Sequence, residues 1–92
     1  MTRAETMSRT LAEKFAPQAL EVTDESARHH GHAGARPEGE THYAVRIVSS
    51  AFEGVSRVER QRLVYAALES EFRAGLHALS LKALTPSEAN SV

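Results

Sequence analysis

The residues of this chain best suited to chemistry are its histidines. Its 92 residues contain five of them and no cysteine, which excludes a disulfide framework, a thiol nucleophile and any thiolate metal ligand. Metal chemistry here has to use histidine and carboxylate. His29, His30 and His32 fall within four residues, with Gly31 among them and Gly34 just after. Such a group readily offers imidazole nitrogens to a metal, and it also takes up Zn²⁺, Cu²⁺ or Ni²⁺ adventitiously. His77 stands apart, directly after Gly75-Leu76. A lone histidine at the start of an apolar run is more often structural than a ligand, so its case depends on what surrounds it. Asp24 and Glu25 lie near the histidine group in sequence, but no Ser-His-Asp pattern, P-loop or dinucleotide fingerprint is present, and an enzyme is not expected.

The elements that position His77 run from Arg57 to Leu84. Val64, Leu68, Phe72 and Leu76 recur every four residues and line one face of a long helix. Ser56 is placed to cap it, with Glu59 three residues on, and Glu69 and Arg73 form a favourable i,i+4 pair. Gly75 can end the helix in a left-handed conformation. Ala78–Leu84 then reads as a strand whose Leu79 and Leu81 share a face with His77. His77 is thus held where helix gives way to strand.

Before this stretch, Thr2–Phe15 reads as a helix with Thr2 and Glu5 at capping-box spacing, Met7, Leu11 and Phe15 as its buried stripe, and Pro17 as its stop. Ala19–Glu25 alternates as a strand with Leu20 and Val22 on one face. Residues 26–41 carry no apolar periodicity and form a flexible loop, long enough to be functional or disordered. His42–Ser49 is the strongest strand, with Tyr43, Val45 and Ile47 on one face and Arg46 on the other, and it pairs with the first as an antiparallel hairpin. His42 reads as structural or as support for a ligand. Ser50–Gly54 makes a turn or short helical piece anchored by Phe52, and Pro86–Ala89 a last helical turn within a short tail, 86–92. The order α-β-β-α-α-β predicts an α+β fold, a three-stranded sheet with helices on one face, as a single domain over 1–92.

Apolar content of 41% and charged content of 25% suit a soluble globular chain, and a net charge of −1 opposes a dedicated nucleic-acid binder. A local basic edge is still available, from Arg57, Arg60, Arg62 and Arg73 on the long helix with Arg46 on the sheet, balanced by Glu59, Glu69 and Glu71. No membrane-spanning run or signal-peptide core is visible, so a cytoplasmic location without a membrane partner is expected.

Several of these stretches occur together in a known family. Leu20-Glu21-Val22-Thr23-Asp24-Glu25-Ser26, Thr41-His42-Tyr43-Ala44-Val45, Val48-Ser49-Ser50-Ala51-Phe52-Glu53-Gly54, Arg62-Leu63-Val64-Tyr65 and His77-Ala78-Leu79 stand in the order found in BolA proteins. The chain resembles that family from its first helix through Pro86. The resemblance implies a fold similar to the class II KH domain, although the Gly-x-x-Gly loop of RNA-clamping KH domains is missing around Gly54. It places the family's invariant histidine at His77 and its variable loop ligand at His29, with His32 as a close alternative, in the subgroup that uses histidine in that loop. Gln61 stands between Arg60 and Arg62 where many members have a histidine.

The resemblance further implies a partner, a monothiol glutaredoxin, with which such proteins bridge a [2Fe–2S] cluster. A cluster needs four protein-side ligands, and histidines can replace thiolates on one iron. A chain without cysteine can donate only a minority of them, so the remaining sulfurs come from the glutaredoxin and from glutathione. The isolated chain is then expected to hold no cofactor and to be a monomer or weak homodimer. BolA members are also described as transcriptional regulators of morphology and stress genes, which implies DNA as the alternative partner.

Overall fold

In a computed structural model of the chain, residues 2–25 and 42–90 are described. The loop assigned to 26–41, with His29, His30 and His32, lies outside the described residues. The first helix, α1 (Arg3–Phe15), starts where the sequence indicates. Thr2 Oγ1 accepts from the Glu5 backbone N–H at 3.1 Å, and the Thr2 N–H donates to the Glu5 carboxylate at 3.0 Å. This closes the capping box and lowers the pKa of Glu5, chiefly through the backbone bond from Thr2. Met7, Leu11 and Phe15 are buried as a stripe.

Strands β1 (Ala19–Asp24) and β2 (His42–Val48) pair antiparallel, as expected. Strand β3 (Ala78–Leu84) joins the other side of β2 in parallel, with His42 opposite Ala78. The sheet order is β1-β2-β3, so β2 is central, and it buries Tyr43, Val45, Ile47 and Val48. The hydrophobic core lies between the sheet and the helices, where Val64, Leu68 and Leu76 meet Met7, Leu11 and Ile47. The opposite sheet face presents Glu21, Thr23, Ala44, Arg46, Ser80 and Lys82 around a shallow hollow. The fold is therefore the expected α+β sheet with helices on one face.

The long helix is two helices, not one. Arg57–Ala67 forms α2 and Glu69–Ala74 forms α3, with a break at Leu68, whose φ of −102° and ψ of 15° leave the helical region. There is no glycine or proline at the break, so its cause is packing. On a straight helix a strict four-residue spacing drifts by about 40° per step, which would carry Leu76 roughly 120° away from Val64. The break, together with the Gly75 turn beyond α3, leaves Leu68 and Leu76 both buried. The Leu68 N–H is shared between the Val64 and Tyr65 carbonyls at 3.1 and 3.2 Å, and the Leu68 carbonyl receives the N–H groups of Glu71 and Phe72. Backbone bonding is thus conserved through the interruption.

The buried polar residues are satisfied. Ser49 donates from its hydroxyl to the Phe15 carbonyl at 2.7 Å and accepts from Ala51 N–H, which caps the 3-10 turn Ser50–Phe52. Phe52 is fully buried against Phe15, with ring centres 5.2 Å apart. The described residues end in α4 (Pro86–Asn90), held by a reciprocal Thr85–Glu88 cap.

Candidate functional site

Burial, a turn and hydrogen bonds fix the backbone around His77. Leu76 is buried and anchors the join from below. Gly75 turns the chain at a φ of 128°, in the left-handed half of the map where glycine is favoured, and Leu76 N–H reaches back to the Glu71 carbonyl at 2.9 Å. Arg3, from α1, donates to the Glu71 and Ala74 carbonyls at 3.0 and 3.3 Å, binding the last turn of α3 from outside. Tyr65 on α2 donates its hydroxyl to the Leu79 carbonyl at 3.1 Å, and its ring stacks on Phe72 at 5.1 Å. With backbone and neighbours thus held, His77 is solvent-exposed.

The parallel pairing of β2 and β3 brings a second imidazole to this corner. His42 is the first residue of β2 and lies opposite Ala78. Its ring centre is 5.4 Å from that of His77, with the planes inclined at 45°. A hollow of about 330 Å³ opens beside it, lined by Glu25, His42, Tyr43, Ala78, Leu79 and Ser80. Because β2 begins directly after residue 41, His77 sits beside the root of the 26–41 segment. Among the described residues no three of the His, Asp and Glu side chains converge on one point, so the corner offers two imidazoles. That donor set fits a minority share in a centre whose other ligands come from elsewhere.

The arginines behave differently from the expected basic edge. Arg60 is a correction: it is buried, and its guanidinium is spent internally. Its Nε donates to the Val55 carbonyl at 2.8 Å, Nη1 to the Ala83 carbonyl at 3.1 Å, and both terminal nitrogens to the Glu88 carboxylate at 2.6 and 3.2 Å. It ties α2, β3 and α4 together. Arg62 is exposed but pairs with Glu59 at 2.8 Å, and Arg73 pairs with Glu69 at 2.6 Å as the spacing predicted. Arg46 points to the open sheet face, 4.0 Å from Glu21. Arg57 is exposed beside a small hollow that also includes Gln61 and Lys82. Of these five arginines, then, Arg60 is internal and Arg46, Arg62 and Arg73 each have a carboxylate within ion-pair distance.

The family model described as BolA-like protein matches residues 11–88. The chain belongs to the BolA family. Among BolA-family relatives in Arabidopsis thaliana, SufE-like protein 1, chloroplastic/mitochondrial, is 50% identical over 82 residues, covering 85% of this chain and 22% of that protein. Protein BOLA1, chloroplastic, is 47% identical over 91 residues, covering 97% of this chain and 57% of that one. The BolA chain thus spans about half or less of these relatives' lengths. The solved BolA domain of SufE1 from the same plant superposes with a TM-score of 0.85 at 45% identity, covering 96% of both chains. This agrees with the α+β architecture described above.

Two residues at this corner carry little signal in the sequence. Nothing in a helix's first turn announces that Arg3 will bind a helix 68 residues away. The nearness of His42 to His77 follows only from the parallel β2–β3 register.

Proposed function

We propose that this BolA-family chain is a non-enzymatic adaptor that acts with a monothiol glutaredoxin, supplying histidine ligands to a shared [2Fe–2S] cluster in iron–sulfur trafficking or iron sensing. The observation that carries this reading is the exposed His77, held at a fixed corner beside the root of the segment bearing His29 and His32. His77 would be one ligand, and His29 or His32 the other from this chain. The cluster, when bound, supplies an electron-accepting and transferable iron–sulfur unit. The chain's own task is to present imidazole at an accessible point and to leave the thiolate positions to the glutaredoxin and glutathione, since it has no cysteine.

Mixing the chain with cluster-loaded glutaredoxin and glutathione is expected to change the visible circular dichroism of the cluster. His77→Ala is expected to abolish that change while leaving the far-ultraviolet spectrum of the chain intact. A wild-type response from the variant would remove the main support.

A second reading, a DNA-binding regulator, draws on Arg57 with Lys82 close by at the end of β3. It ranks second because Arg60 is internal and both Arg62 and Arg46 have a carboxylate within ion-pair distance. Phosphate-backbone binding needs several cations on one surface.

A further inference from the structure

We infer that His42 and His77 together form a divalent-metal clamp of their own, with His42 as a metal-binding residue and a borderline cation such as Zn²⁺ as its ligand. The inference rests on the reading of His77 as a metal-facing residue, but needs neither the cluster nor a glutaredoxin.

The separation of the rings is the first support. A zinc–imidazole nitrogen bond of about 2.0–2.1 Å puts the metal roughly 3.2 Å from the ring centre, so two imidazoles on one tetrahedral ion have centres about 5.2 Å apart. The rings of His42 and His77 are 5.4 Å apart. The ring separation thus matches that of two imidazoles sharing one tetrahedral ion.

The second support is that the backbone, not a long loop, sets this spacing. His42 is fixed at the head of β2 by its register opposite Ala78 on one side and by the Glu25 N–H to His42 carbonyl bond, 2.8 Å, on the other. His77 is fixed by the buried Leu76, the Gly75 turn and the hold of Arg3 on α3. Two donors preorganised by separate elements lose little entropy on binding. Neutral imidazole prefers Zn²⁺, Cu²⁺ and Ni²⁺ to Ca²⁺ or Mg²⁺. Two protein ligands leave further positions of a tetrahedral ion for water or for donors from a partner.

Replacing His29, His30 and His32 together by Ala leaves His42 and His77 as the only imidazoles in the chain. That variant, labelled with ¹⁵N at histidine, is titrated with Zn²⁺ alone and its ring nitrogens are followed by NMR. Both rings are expected to respond along a single isotherm. Adding His42→Gln is expected to weaken Zn²⁺ binding, read at His77, by about tenfold or more. A response from one ring only, two rings with different midpoints, or an unchanged affinity in the His42→Gln variant would each overturn the clamp. The two-ring readout needs no change at His42, so it stands even if the Gln variant folds poorly. Because no glutaredoxin is present, failure here leaves cluster exchange standing, and failure of cluster exchange leaves the clamp standing.

Discussion

His77 and Arg60 are separated by 17 positions in sequence and by opposite fates in the fold. His77 is exposed and Arg60 is 6% exposed. The periodicity of α2 does not by itself bury Arg60; what buries it is a set of acceptors that converge only after folding, the Val55 and Ala83 carbonyls and the Glu88 carboxylate. A charge run along a helix shows where cations are, but not which of them will meet a carboxylate from another element. The same contact has a pH signature. Hydrogen bonds from Arg60, then the Thr85 N–H, lower the Glu88 pKa from 4.5 to about 2. The folded chain therefore binds fewer protons at Glu88 than the unfolded one. This contribution to stability is fully present above about pH 4.5 and is lost as pH falls through that value towards 2. Glu88→Gln is expected to lower stability at neutral pH and to flatten the pH dependence across that window. Thermal melts from pH 7 to 2 measure it, and an undiminished acid slope in the variant would show that other carboxylates set it.

At the scale of elements, the sequence was most informative where one residue type has one physical use. Thr2 with Glu5, Ser56 at the head of α2 and Gly75 at the end of α3 stand where capping and left-handed turns require them. The β1–β2 hairpin was legible from two alternating strands that follow one another across a single loop. The break at Leu68 was not, because neither glycine nor proline marks it and local propensity favours a continuous helix. The parallel β2–β3 pairing was also hidden, since alternation gives faces but not strand direction. Both features matter to the site: the break and the Gly75 turn together aim His77 at the corner occupied by His42. A side chain at Gly75 would be strained at φ 128°, and its Cβ would lie 3.3 Å from the Arg3 guanidinium. Gly75→Ala is expected to destabilise the fold by about 1–2 kcal/mol. It should also displace His77 enough to weaken cluster exchange with glutaredoxin. Denaturant melts combined with the circular-dichroism titration would reveal the two effects, and a variant with wild-type stability would mean that the turn is not under conformational constraint.

Taken whole, the molecule is a small sheet covered on one face, with its candidate chemistry at one end of that sheet. The helices bury the apolar face, and the open face carries polar and charged side chains that need no cover. A module built this way can stand within a longer protein, as the BolA domain of SufE1 does. His29 and His32 come from the 26–41 stretch, whose sequence announces a loop but not where its imidazoles will be; among the candidate donors only His77 and His42 lie among the described residues. Histidine donation to a shared cluster is tested most directly by electron–nuclear double resonance on the reduced mixed complex, with only this chain ¹⁵N-labelled at histidine. Ligation predicts a strong ¹⁵N coupling that disappears in His77→Ala. A cluster without ¹⁵N coupling, or one whose coupling survives that substitution unchanged, would contradict it.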